Sequence, residues 1–105
     1  KAAKSYGELA KLSNDAKHYR KQGGLLLQAE KYSQSVAPLQ KALDLNIKDK
    51  GRVYTSLMEA YYYQGKYKQS LAMNKEAMKF PKSKRNARAW TQYIIDKANR
   101  NGVKI

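Results

Sequence analysis

A segment that occurs twice, at a spacing of 35 residues, constrains this chain more than any other feature. The sequence QAEKYSQSV at 28–36 returns as QGKYKQSL at 64–71, and Ala42-Leu43 returns as Ala77-Met78. A fixed period of this length is the signature of a helical repeat array, in which each unit packs on its neighbours. Because such arrays mainly present surfaces to other molecules, the repetition predicts a binding surface and not a catalytic centre.

Apolar residues fall at helical spacing throughout the chain, and no period-two run is long enough to predict a strand. The pattern predicts an all-α fold of about six helices, which we place at about 1–13, 16–29, 33–45, 52–64, 68–79 and 84–99. Pro38 predicts a late start or a kink in the third helix, because its ring clashes with the preceding turn. The expected helix caps are Ser13, Asn14 or Asp15 for the second helix, Ser33 or Ser35 for the third, and Ser83 for the sixth. Gly65 is expected to turn through positive φ.

The residue types exclude several classes of site. The chain has no cysteine, so it has no disulfide, no thiolate zinc site and no cysteine nucleophile. His18 is the single histidine and lacks the partner spacing of a metal pair or a catalytic triad. The acidic residues form no close pair suited to acid and base catalysis. We therefore predict no enzymatic activity, no metal and no cofactor, and the absence of a long apolar run predicts no transmembrane helix within these residues.

The charge balance points to an anionic partner. Lys and Arg number 22 against 8 Asp and Glu, a formal charge of +14. Nucleic acid, anionic lipid headgroups and acidic protein segments are the candidates. The alternative to an anionic partner is that lysines on outer helix faces only keep the chain in solution, although a charge of +14 exceeds what solubility requires. The same two interpretations stay open for the basic run Lys79, Lys82, Lys84, Arg85 and Arg88.

Both copies match one family pattern at several positions. In the second copy the matching residues are Tyr54, Leu57, Tyr61, Gly65, Tyr67 and Ala77. In the first copy they are Tyr19, Gly23, Leu26, Tyr32, Ser35, Leu39, Ala42 and Leu43. The chain thus resembles the tetratricopeptide repeat (TPR) family, whose unit of about 34 residues pairs two antiparallel helices. In that family a small residue lets the two helices of a pair close on each other, and Gly23 holds this position. Departures from that pattern are Met58 for a glycine, Asn74 for an aromatic residue and Ile47 for a proline.

The resemblance implies a short right-handed TPR-type solenoid in a single domain. Its parts would be a remnant of a preceding repeat at 1–13, repeats at 16–50 and 51–83, a capping helix at 84–100 and a tail at 101–105. We expect this to be the C-terminal part of a longer protein; failing that, the open end of the array would pair with a second copy. The C-terminal region resembles the ends of TPR proteins from bacterial envelope systems, which favours a periplasmic or envelope location.

The resemblance also implies where a ligand would bind, because TPR proteins use the concave face lined by the first helix of each pair. The family's spacing places the following residues there: Lys17, Arg20, Lys21, Gln28, Arg52, Ser56, Glu59, Tyr62, Tyr63, Arg85 and Arg88. Lys17, Arg52 and Arg85 hold the same place in three successive units, a column of cations that suits an acidic peptide. Tyr62 and Tyr63 are expected either to anchor a partner or to pack against the next helix.

Two narrower interpretations fit less well. The chaperone-type carboxylate clamp needs asparagines where Gly24 and Ser56 stand and an arginine where Ala89 stands. Pentatricopeptide arrays share the period of 35 but read about one base per repeat, so two copies could hardly specify an RNA sequence. The sequence therefore predicts a protein interaction scaffold that binds a partner protein or acidic peptide in a basic concave groove. Nucleic-acid or anionic-surface binding through the same basic face is the alternative.

Overall fold

A computed structural model describes residues 15–105 and shows five α-helices and no strand in that range. The helices are α1 (Ala16–Gln28), α2 (Tyr32–Asp44), α3 (Lys50–Tyr63), α4 (Tyr67–Ala77) and α5 (Pro81–Arg100). The all-α class predicted from periodicity is confirmed for these residues. None of the five helices is long and apolar enough to cross a membrane. The helix predicted at 1–13 lies outside the described residues.

Within residues 15–105, four of the five helices end in the same hydrogen-bonded turn, the Schellman motif. In each turn the residue after the C-cap has a φ between 58° and 77°, and these residues are Glu30, Asn46, Gly65 and Gly102. The next N–H then donates to the carbonyl five residues earlier, at 2.8–3.2 Å, as in Lys31 to Leu26 and Lys66 to Tyr61. The positive φ predicted for Gly65 is confirmed. Glu30 lies 35 residues before Gly65, so the repeat extends to the turn itself.

Exchanging the residues in these two turns should change stability in opposite directions. Glu30→Gly should raise the free energy of unfolding by about 0.5–1 kcal/mol, because a left-handed conformation is unfavourable for a residue with a Cβ. Gly65→Ala should lower it by about 1 kcal/mol for the same reason. Urea unfolding followed by circular dichroism measures both changes. Negligible changes in both variants would show that the positive φ of these turns costs no free energy in a residue with a Cβ.

The start of α2 differs from the prediction. The helix begins at Tyr32 with Lys31 as N-cap and no side-chain cap, so the expected capping by Ser33 or Ser35 is wrong. Ser35 instead donates its hydroxyl to the Tyr32 carbonyl at 2.7 Å. Of the late start or kink predicted from Pro38, the late start is wrong, because Pro38 lies inside a continuous helix with its ring buried. Burial of the ring opposes the cost of the backbone hydrogen bond that proline cannot donate.

The start of α5 also differs, and the difference matters for the site. The helix begins at Pro81, three residues before the predicted position, because proline at the first helical position lacks only an N–H that would have no partner there. Ser83 is therefore not the cap, and its Oγ donates to the Ala77 carbonyl at 2.6 Å. Gly51 completes this junction, since a Cβ added to it would lie 2.6 Å from Ser83 Oγ. The N-terminus of α5 is thereby tied to both α3 and α4.

The helices pack with their neighbours along the chain, and α3 also contacts α1 and α5. One core cluster lies between α1, α2 and α3 and contains Leu39, Ala42, Ile47, Val53 and Leu57. A second lies between α3, α4 and α5 and contains Met58, Tyr67, Ile94 and Ala98. Because α3 contributes to both clusters and touches both α1 and α5, these three helices share one surface. Most of the residues predicted to bind a ligand belong to them.

The close helix approach predicted at Gly23 is confirmed. A Cβ added to this residue would lie 2.5 Å from Leu39 Cγ and 2.7 Å from Cδ2. Met58 occupies the equivalent position 35 residues later, and its carbonyl accepts a hydrogen bond from Ser70 Oγ at 2.8 Å. The Met58 side chain belongs to the second core cluster, together with Ile94. A glycine at position 58 would leave a space between α3 and α5. The Met58 side chain fills that space, so the contact with α5 accommodates the methionine.

Candidate ligand-binding groove on α1, α3 and α5

An open cleft of about 600 Å³, called here the basic cleft, lies between α1 and the start of α3. Its cations are Lys17, Arg20, Lys48 and Arg52, and two aspartates also line it. The aspartates are helix caps: Asp15 Oδ1 accepts the Lys17 N–H at 2.9 Å, and Asp49 Oδ1 accepts the Arg52 N–H at 3.4 Å. Of the three cap candidates Ser13, Asn14 and Asp15, Asp15 is the cap of α1. Since cations outnumber carboxylates, the basic cleft attracts anions.

A second space of about 250 Å³, the middle cleft, lies between α3 and α5. Arg52 and Asp49 line it as well as the basic cleft, so the two clefts meet at these residues. From α5, the middle cleft receives Lys82, Ser83 and Asn86. Lys17 and Arg52, predicted to be equivalent, do share a cleft. Arg85 is not among the residues that line this cleft with Arg52, so its place in that column stays a prediction.

The third space, the aromatic cleft, has a volume of about 400 Å³ and lies farther along α3 and α5. It is lined by Tyr62, Tyr63, Asn86, Ala89, Trp90 and Tyr93. The Tyr62 ring lies 5.2 Å from the rings of Tyr63 and Trp90, edge to face in both cases. Trp90 in turn lies 5.9 Å from the Tyr93 ring. Asn86 lines both the middle and the aromatic cleft, so each cleft shares a lining residue with the next, and the three together are called here the groove.

The two tyrosines predicted to anchor a partner or to pack against the next helix have different environments. Tyr62 is half-buried and packs against Tyr67 and Trp90. Tyr63 stacks on Tyr32 at 4.9 Å but keeps 52% of its surface exposed. Tyr93 is 65% exposed. The cluster is thus fixed by packing at Tyr62 and open to a ligand at Tyr63 and Tyr93.

Two groups near the groove titrate away from their ordinary range. Burial raises the pKa of the Glu59 carboxyl on α3. Burial is also the main cause that raises the pKa of the Tyr62 hydroxyl, and the neighbouring Tyr67 and Tyr63 add to it. Arg100 acts in the opposite direction on Tyr62. A cation therefore lies close to the aromatic cleft as well as in the basic cleft.

The remaining predicted residues lie outside the linings of these three clefts: Lys21, Gln28, Ser56, Glu59, Arg85 and Arg88. Four of them are exposed, whereas Ser56 and Glu59 are half-buried. Sequence reasoning did not predict Asn86, Trp90 or Tyr93 as residues of the site. Trp90 and Tyr93 are three residues apart and so share a helix face, which is a signal that could have indicated an aromatic surface.

Comparisons with protein-family models, with curated proteins and with solved structures found no match. Within residues 15–105 no three His, Cys, Asp or Glu side chains come together as a metal site would require. We therefore infer the function of this protein from the groove and the residues that line it.

Proposed function

We propose that this protein is a TPR-type scaffold that binds a partner protein through an extended acidic segment in the groove. The observation that carries the proposal is the continuity of the three clefts, which begins at four cations and ends at four aromatic side chains. A flat charged patch would attract anions without selecting an extended chain. A continuous groove favours a peptide over a small anion.

The TPR-type solenoid is supported by three features of the described residues. The helix pairs α1/α2 and α3/α4 repeat at 35 residues, and the turns at Glu30 and Gly65 have the same hydrogen bonds. Gly23 allows the close contact of α1 with α2. The first helices of successive pairs lie against each other, as α3 does against α1 and α5. In this arrangement the first helices line the concave face.

The basic cleft suits carboxylates because of its arginines. A guanidinium pairs with a carboxylate through two parallel hydrogen bonds, which orient the carboxylate as well as attract it. Arg20 and Arg52 line the same cleft from two different helices, so one acidic segment can contact both. The formal charge of +14 would in addition speed the encounter with an acidic partner.

Arg52→Ala should weaken the binding of a fluorescein-labelled, aspartate-rich peptide about tenfold, the loss expected for a charge-assisted hydrogen bond. Glu59→Gln should strengthen it, because one like charge near the groove is removed. Fluorescence anisotropy at low salt measures both effects. Lys68→Ala is the matched control, since it removes one charge from α4, and it should change the affinity less than about twofold.

Nucleic-acid binding is the second candidate, favoured by the net charge alone. The affinity for an oligonucleotide comes from contacts of its phosphates with many cations. Arg52→Ala and Lys68→Ala should therefore weaken oligonucleotide binding to a similar extent. Peptide binding should instead respond to Arg52→Ala and not to Lys68→Ala. An oligonucleotide that binds tightly while the acidic peptide does not bind at all would contradict the proposal and support this alternative.

A further inference from the structure

Attraction to acidic side chains does not explain why aromatic residues line the aromatic cleft. Its lining is mainly tyrosine and tryptophan, and Tyr63 and Tyr93 are 52% and 65% exposed. In the described part of the chain, the hydroxyls of these two tyrosines and the Trp90 indole N–H take part in no hydrogen bond. The cleft therefore offers flat apolar faces together with unused donors.

These properties match one kind of backbone in particular. A polyproline II segment leaves its carbonyl groups without internal hydrogen bonds, and its flat rings dock in grooves lined by aromatic residues. Tyrosine hydroxyls and an indole N–H can donate to such carbonyls while the aromatic rings pack on the proline rings. Asn86, at the junction of the middle and aromatic clefts, can donate to and accept from the same backbone.

Charge argues against two other occupants. An aromatic cluster can also hold a cation, but the chain carries +14 and Arg100 already lies close enough to oppose the rise in the pKa of the Tyr62 hydroxyl. A second copy of this chain would bring another +14 to the same surface. A partner with acidic residues near the aromatic cleft is the complementary choice.

We propose that the aromatic cleft binds a proline-containing polyproline II segment of the same partner whose acidic residues bind at Arg52. This inference rests on the proposed function and specifies the ligand further. Arg52 and Tyr62 are ten residues apart on α3, which corresponds to about 15 Å along the helix. A polyproline II chain rises about 3.1 Å per residue, so the prolines should lie about five residues from the acidic residues.

Three labelled peptides of equal length and charge test the spacing, each made in both chain orders. The first has an aspartate pair five residues from a proline pair, the second has the two pairs adjacent, and the third has glycines in place of the prolines. The spaced peptide should bind about tenfold more tightly than the other two. Trp90 is the only tryptophan of the chain, so its emission should shift to shorter wavelength with the spaced peptide alone.

Variants link the effect to the cleft. Tyr93→Ala should reduce the affinity of the spaced peptide to that of the proline-free one. Because Tyr93 is 65% exposed, the variant should keep its fold, which circular dichroism checks. Gln69→Ala, at an exposed position on α4, is the control and should leave the tenfold difference intact. Equal binding of all three peptides with unchanged Trp90 emission would overturn the inference and leave the proposed function standing. Failure of every peptide to bind would overturn both.

Discussion

Replacing Asn74 with aspartate is expected to lower the free energy of unfolding at pH 7 by about 3–5 kcal/mol. Asn74 is fully buried, and its Nδ2 donates to the Ala87 carbonyl and to Thr91 Oγ1, both at 2.8 Å. An ionised aspartate has no donor, so a charged oxygen would face the Ala87 carbonyl in a fully buried site. Burying an unpaired charge in this way is among the most destabilising single changes.

Net charge alone predicts the opposite result. The chain carries +14, so one more carboxylate should relieve repulsion if overall charge governed stability. The pH dependence distinguishes the two effects. Burial favours the protonated acid, so the folded-state pKa of this aspartate lies above its unfolded value of about 3.9. The destabilisation should therefore grow as the pH rises through these values and should shrink below about pH 4.

Asn74→Leu is the matched control, because Leu39 occupies the equivalent position 35 residues earlier and is fully buried. Leucine removes the amide donor together with Oδ1, which has no hydrogen-bond partner among the described residues. The Ala87 carbonyl keeps the hydrogen bond from Thr91 Oγ1 at 3.0 Å. We expect a stability within about 1 kcal/mol of the original chain in urea unfolding. Equal stability of the aspartate and leucine variants at pH 7 would contradict the prediction.

Gly23→Ala is expected to lower the free energy of unfolding by about 1–3 kcal/mol. The added Cβ would lie 2.5 Å from Leu39 Cγ, and Leu39 has no exposed surface into which it could move. α1 and α2 would then have to separate. Gly24→Ala is the control, since a Cβ at Gly24 has nothing within 4 Å, and it should raise stability by about 0.5–1 kcal/mol through helix propensity.

A double-mutant cycle shows whether the Gly23 effect comes from this contact. Leu39→Ala alone should cost about 2–5 kcal/mol, as large-to-small changes in a core do. In the double variant the shortened residue 39 leaves room for the new Cβ, so the two losses should sum to less than their separate values. Equal stability changes in Gly23→Ala and Gly24→Ala would show that the helices do not approach closely at this point.

Local patterns predicted much of the fold. Helical spacing of apolar residues indicated the five helices of residues 15–105, because burial of one face requires that period. The repeat identified Gly23 as a contact point and Gly65 as a turn. Helix starts were less predictable, since Ser83 and Pro81 are both favoured near a helix start and only the contact of Ser83 with Ala77 shows which role each has.

The groove was predicted in part. Lys17, Arg20 and Arg52 line it as expected, because their positions follow from the repeat. The residues of α5 that line the groove could not be predicted in that way, since α5 does not continue the repeat and begins three residues earlier than predicted. As a result Lys82, Ser83 and Asn86, and not Arg85, line the middle cleft with Arg52.

The sequence alone established the helical class, the repeat and the sign of the charge, because each depends on residue types and on spacings along one chain. Only the tertiary structure showed why Met58 and Asn74 can replace the expected residues, and that Trp90 and Tyr93 share a cleft with Tyr62. Those facts depend on how α5 packs against α3 and α4. Contacts between helices distant in sequence are set by the shapes of both surfaces, and a pattern read along one helix does not contain them.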